Sequence, residues 1–289
     1  MSMLWINTLL QGVLTGGLYA LLAAGLSLSF GVMRQVNLAH GDLIVLAGYV
    51  ALALSGVAGS WVGLIGAVGV MALLGYVLQR WLLNRTLGRG MLGPVMLTFG
   101  LSVVIQNTLL WTFSADVRQL DVGAIGIGAW NFGGGIALGW LPLLTMLVAL
   151  LALGGLQWVF ARTALGRTLR AVADDPETAE LMGLAHRHWY AVAMAIAGVF
   201  MALAGALMAM RSTIGPFDGP ARLLFAFEAV IMGGMGSLWG TLVGGMLLGI
   251  AQAVGAAFDP GWGVLAGHLV FLFVLWARPQ GLFPQVRER

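Results

Sequence analysis

Residues 3–33 read MLWINTLLQGVLTGGLYALLAAGLSLSFGVM, 31 positions without one side chain that is charged at neutral pH. A helix rises about 1.5 Å per residue and the bilayer core is about 30 Å thick, so roughly 20 apolar residues suffice to cross it. Leu43 to Gln79 and Gly90 to Ala115 are two further uncharged runs of that kind. Only 9% of the 289 residues are charged and 60% are hydrophobic, against about 25% charged in an ordinary soluble domain. Segments of about ten residues alternating apolar and polar, the mark of a membrane barrel, do not occur. The reading is an all-α integral membrane protein, a polytopic bundle of about eight transmembrane helices with broken or re-entrant segments. One transmembrane domain is expected over residues 1–289, with a cytoplasmic loop at about 161–190.

The start of the chain has neither a basic leader nor a small-residue cleavage pattern, so the first run is expected to stay as a helix rather than act as a signal peptide. Hydropathy places helices near 5–33, 41–58, 61–83, 91–113, 136–160, 189–210, 223–256 and 262–277. All 14 basic residues are arginine. Without a lysine, a phosphate-binding loop of the G-x-x-x-x-G-K-[ST] type cannot form. The absence of cysteine removes disulfides and thiolate metal sites, and no basic stripe suggests nucleic acid.

Arginines in short loops favour the cytoplasmic side. Arg80, Arg85 and Arg89, then Arg162, Arg167, Arg170 and Arg187, then Arg278, Arg287 and Arg289 mark three such regions. For the last two to share a side, the long segment 223–256 must leave and return to the outside. The glycine-rich VGAIGIGAWNFGGG ahead of the fifth helix is then external.

That parity singles out IMGGMGSLWG, where Gly233, Gly234, Gly236 and Ser237 interrupt an apolar run. Irregular backbone at membrane depth is tolerated where protein or a water-filled cavity satisfies it, so this break is a candidate pathway element. VNLAHGDLIVLAGYV places Asn37, His40, Gly41 and Asp42 at a second interruption, with Asp42 a candidate helix cap. Paired interruptions in two halves of a transporter point at its substrate route. Glu228 inside the seventh apolar region is a functional candidate because intramembrane charge is costly, with Arg222 or Arg211 as an alternative structural partner. His186 and His188 read as loop residues, and His268 as a packed or interfacial side chain. No three residues at ligand spacing suggest a metal, and no nucleophile is paired with a base.

Between Ala161 and Tyr190 stand eight of the 25 charged side chains (14 basic, 11 acidic). Asp175 can cap a short helix opened by Pro176 and Glu177, presenting Ala179, Leu181 and Met182 and ended by Gly183. Apolar side chains at the tip of a charged loop suit docking to a cytoplasmic partner.

GGLYALLAAGLSLSFGVMRQVNLAHGDLIVLAGY, LGRTLRAVADDPETAELMGL, AFEAVIMGGMGSLWGTLVGGMLLG and the terminal RPQGLF together resemble the permease subunits of branched-chain amino acid ABC importers, of the LivH type. The resemblance spans nearly the whole chain. It implies a second homologous permease subunit, two cytoplasmic ATP-binding subunits that use ATP and Mg, a periplasmic substrate-binding protein, and a place among the lipids of the bacterial inner membrane. It also implies that ETAELMG is the coupling helix seated in the ATPase, fitting E-x-A-x-x-x-G through Glu177, Ala179 and Gly183, with Thr178 where alanine is more usual. The alternatives are a urea or short-chain amide importer of the same class, and an ion-coupled carrier relaying protons through Glu228, His40 and Asp42.

Overall fold

The computed structural model describes residues 2–87, 90, 92–133 and 135–283; Arg89, Arg287 and Arg289 lie outside the described residues. Helices α1 (Ser2–Met33), α2 (His40–Ala58), α3 (Ser60–Val77) and α4 (Leu92–Phe113) form the first half. Helix α3 continues through a π-helical turn, Leu78–Leu82, and a 3-10 turn, Leu83–Arg85. A short turn α5 (Ala124–Ile127) and a hairpin, β1 (Ala129–Gly133) with β2 (Ile136–Gly139), precede α6 (Trp140–Arg162). The loop helices α7 (Ala164–Asp174) and α8 (Pro176–Leu181) lead to α9 (His186–Arg211), α10 (Gly219–Gly233), α11 (Leu238–Phe258) and α12 (Trp262–Ala277).

Among the described residues six helical segments are long and apolar enough to span a bilayer, and α2 and α12 are shorter apolar helices. The helix expected from residue 136 begins at Trp140, because residues 136–139 pair with β1 instead. That small hairpin departs from the all-helical expectation. It is pinned to the start of α1, where Gln11 Nε2 donates to the Ala137 carbonyl at 2.6 Å.

Glycine faces decide the packing. A Cβ added at Gly12 or Gly16 of α1 would strike α11 backbone at residues 245–250, and one at Gly245 or Gly249 would strike α1. With no hydrophobic drive between helices in lipid, such backbone approach supplies the dispersion contact that holds the pair. Helix α9 receives α3 in the same way through Gly75 and Gly198, and α11 receives α10 through Gly233, Gly240 and Gly244.

Helices α1 and α9 run antiparallel, with Thr15 bonded to Arg211 near one end and Ser29 meeting Met194 towards the other. Each packs against the third helix of the opposite half: α11 on α1, α3 on α9. The chain is therefore folded as two inverted halves, α1–α4 and α9–α12, a plan found in many transporters. Asn84 Nδ2 donates to the Arg187 carbonyl at 3.0 Å, and Gly31 lies against Gly236. These contacts gather the Arg80, Arg85, Arg162, Arg187 and Arg278 ends on one side, the cytoplasmic side by the arginine bias.

Candidate functional site

The first interruption is a buried junction. Helix α1 ends at Arg34, whose φ of 51° turns the chain. Asn37 Oδ1 then accepts from Ala39 N at 3.0 Å, the Leu38 N–H donates to Thr98 Oγ1 at 3.1 Å, and α2 opens at His40. His40 Nε2 donates to the Leu22 carbonyl at 2.8 Å. Leu22 lies eleven residues before Met33, so α2 begins about 16 Å back along α1 rather than level with its end. Asn37, His40 and Asp42 are all buried. Asp42 does not cap α2, as the sequence suggested. It sits inside the first turn, where its charge suits the helix dipole, and accepts from Gln106 Nε2 of α4 at 2.9 Å.

Gly41 lies so close to Gly219 and Leu223 that a Cβ there would overlap their backbone, and a Cβ at Gly219 would overlap Asp42. The starts of α2 and α10 thus meet inside the bundle. The partner of the Asn37–Asp42 interruption is the segment Ile214–Gly219, IGPFDG, and not the GGMGS turn; its two glycines, proline and aspartate were the available signal.

Gly233, Gly234, Gly236 and Ser237 instead make the tight turn between α10 and α11, at the arginine-rich end of the bundle. Gly234 and Gly236 hold φ of 103° and 81°, values that glycine adopts without steric cost. Ser237 Oγ accepts from Gly240 N at 3.1 Å, capping α11. Residues after α12 lock the turn from below, with Leu282 N and Phe283 N each 2.9 Å from the carbonyls of Met232 and Gly233.

Glu228 is 2% exposed, and it pairs with neither Arg222 nor Arg211. Its Oε1 is hydrogen-bonded to Nδ1 of His268 on α12, so the reading of His268 as a merely packed side chain is corrected. Forty residues separate the two, which is why spacing could not reveal the pair. Arg211 Nη2 donates to Thr15 Oγ1 at 2.7 Å, and Arg222 Nη2 stands 3.6 Å from Asp218 Oδ2.

On the cytoplasmic side Thr163 caps α7 and Asp175 caps α8. Asp175 Oδ1 accepts from the N–H groups of Glu177 and Thr178 at 3.1 and 3.0 Å, and Oδ2 accepts from the Thr178 hydroxyl at 2.6 Å. The Thr178 hydroxyl first, with the N–H groups behind it, holds this carboxyl below its ordinary range. Pro176 occupies the first turn and Gly183, φ 83°, ends the unit. Ala179 is buried, contrary to expectation, because its carbonyl accepts from Leu184 N as the chain folds back towards α9. Leu181 and Met182 are 90% and 72% exposed.

An inverted helical bundle with buried junctions at its centre and an apolar-tipped helix on a charged loop is the architecture of a membrane transport permease. Residues 8–275 match the family described as branched-chain amino acid transport system / permease component, and the chain belongs to that family as the permease subunit of an ABC importer. It is 28% identical to the high-affinity branched-chain amino acid transport system permease protein BraD of Pseudomonas aeruginosa over 98% of each chain. It is 26% identical to the permease protein LivH of Salmonella typhimurium, covering 98% of this chain and 97% of that one. In the solved complex of PsaBC from Streptococcus pneumoniae with Fab, one chain shares the fold at a TM-score of 0.51 and 16% identity, with 97% of each chain covered.

Proposed function

We propose that this chain forms half of the transmembrane path of an importer for branched-chain or other hydrophobic amino acids in the bacterial inner membrane. A second homologous permease completes the path, two cytoplasmic subunits supply ATP hydrolysis with Mg, and a periplasmic binding protein delivers substrate. The observation that carries the reading is α8: Leu181 and Met182 project from a capped, glycine-ended helix on the arginine-rich side. A soluble partner is needed to cover such side chains.

In this reading α8, from Asp175 and Pro176 to Gly183, is the lever. Ala179 anchors it to the permease while Leu181 and Met182 enter the ATPase. Movement of α8 reaches α9 directly and α3 through the Asn84–Arg187 and Tyr76–His188 contacts. The two halves then rock about the Gly41–Gly219 contact, exposing the path to one side and then the other. Asn37, His40, Gly41 and Asp42 line the junction, Glu228 lies beside it, and the Gly233–Ser237 turn closes the cytoplasmic end.

Replacing Leu181 and Met182 together by Asp tests this in the reconstituted complex. Both side chains face solvent, so insertion and folding are expected to survive. Capture of the ATPase and ATP-driven leucine uptake should fall about tenfold or more, as for loss of interface anchors. Undiminished uptake by the variant, or uptake by this chain alone on an ion gradient, would overturn the proposal.

A further inference from the structure

Five helices bring polar side chains to one place around Tyr19. Its hydroxyl is hydrogen-bonded to Gln252 of α11, and its ring packs on Phe225 of α10, which stacks in turn on His268 of α12. Arg211, Arg222 and Glu228 all lie within electrostatic range of it. Among the described residues, nine buried side-chain polar atoms have no hydrogen-bond partner, and four belong here: Arg211 Nη1, Arg222 Nε, Glu228 Oε2 and Gln252 Nε2. Leaving one such atom unmet is costly, more so when it is charged. Four at one place leave hydrogen-bonding capacity for a polar partner from outside the chain.

The unmet atoms have opposite character. Arg211 has only the Thr15 hydroxyl as partner, leaving a cationic donor open, and Glu228 Oε2 is an open anionic acceptor. They form no ion pair with each other. A ligand matching both presents a carboxylate to the guanidinium and an ammonium to the carboxylate. The side chains of His268 and Arg222 stay 32% and 25% exposed, so the cluster opens at the α10–α12 face. Charged groups at membrane depth face protein or water rather than lipid, which makes that face part of a path or of the contact with the second permease. Phe225 and the Tyr19 ring supply an apolar wall beside the charges.

We propose that Tyr19, Arg211, Arg222, Glu228, Gln252 and His268 form a binding subsite for a zwitterionic α-amino acid. The guanidinium side takes its carboxylate, Glu228 takes its ammonium, and His268 holds Glu228 in position. The inference rests on the importer reading above and locates recognition of the backbone charges within this chain.

The test uses the complete complex in lipid nanodiscs and photo-leucine, or photo-methionine if that is the one the complex imports. In the unaltered complex, crosslinks should map to α1, α10 and α12 around Tyr19, Phe225 and His268; crosslinks confined to other regions overturn the subsite. Competition against the probe then compares leucine with 4-methylpentanoate, which lacks the ammonium, and with 3-methylbutylamine, which lacks the carboxylate. Leucine should compete about tenfold or more better than either. Glu228→Gln should remove its advantage over the acid and Arg211→Gln its advantage over the amine, ratios that do not depend on the folded fraction. Unchanged ratios in both variants overturn the assignment. ATP-driven amino acid uptake with crosslinks elsewhere sinks the subsite alone, whereas no such uptake sinks the importer reading.

Discussion

In the first half of the chain the buried carboxylate Asp42 stands one residue past Gly41 and takes its hydrogen bond from Gln106 of the fourth helix. In the second half Glu228 stands nine residues past Gly219 and takes its hydrogen bond from His268 of the last helix. The scaffold is the same, a second helix that starts against its counterpart and a fourth helix that answers its acid. The chemistry differs. Asp42 has a neutral amide on it and the favourable end of a helix dipole beneath it. Glu228 has one oxygen on His268 and the other unmet. Between the two acids, Glu228 is the one with an unmet buried oxygen, although the junction of the first half also carries unmet atoms, Asn37 Nδ2 and His40 Nδ1.

The harshest way to break the comparison is at the contact both halves share. A side chain on Gly41 meets backbone of the other half, which cannot swing aside as a side chain can, and one on Gly219 meets the Asp42 carboxylate and, behind it, the Asp42 Cα. Overpacking a core ordinarily costs about 1–3 kcal/mol, and backbone overlap on two helix starts should exceed that range. Gly41→Val and Gly219→Val are expected to abolish the monodisperse, membrane-inserted chain in detergent size-exclusion analysis. Gly56→Val, on the same helix as Gly41 but with no atom within 4 Å of its Cβ position, should leave it intact. Equal behaviour of the Gly41 and Gly56 variants would show that the junction does not constrain the fold.

A milder change separates the two acids. Asp42→Asn keeps an oxygen that can accept from Gln106, so leucine uptake should fall by no more than about threefold, within the spread of a single neutral hydrogen bond. Glu228→Gln removes the charge and can put a donor where the unmet acceptor was. Uptake by the assembled complex should fall by about tenfold or more. Similar losses in the two variants would mean that the halves have not diverged in role.

Much of this architecture was legible in the residues. Uncharged runs placed the helices within a few positions, because membrane insertion depends on length and apolarity alone. The parity of the arginine-bearing loops required a break within 223–256, and the chain does break there, between Gly233 and Leu238. The short helix α8 was legible because Asp175, Pro176 and Gly183 act locally, through caps and a turn. What escaped was non-local. The Glu228–His268 pair joins residues on separate helices, and Gln106 carries no charge to mark it as the partner of Asp42. The symmetry escaped for another reason. GGMGS is conspicuous by composition, whereas IGPFDG, the true counterpart of the Asn37–Asp42 junction, hid its role behind ordinary loop residues. Inverted halves share geometry, and geometry constrains glycine positions more than the side chains between them.

The smallest expected effect concerns two serines in corresponding turns, Gly59-Ser60-Trp61 and Gly236-Ser237-Leu238-Trp239. Ser237 is buried and its hydroxyl caps α11 by accepting from Gly240 N. Ser60 reaches the Asp121 carbonyl from an exposed position, while α3 itself starts without a side-chain cap. Removing a cap costs about 1 kcal/mol, and at Ser237 no water can replace the lost acceptor. At Ser60 water substitutes for the hydroxyl. Ser237→Ala should therefore lower unfolding stability by about 1 kcal/mol in a denaturant titration, and Ser60→Ala by a few tenths at most. Because the GGMGS turn is tied to residues 282 and 283 as well as to α11, the loss at Ser237 should also loosen that end of the chain. Faster proteolysis after Arg278 in Ser237→Ala than in Ser60→Ala is the accompanying sign; equal rates would mean that the two turns are anchored alike.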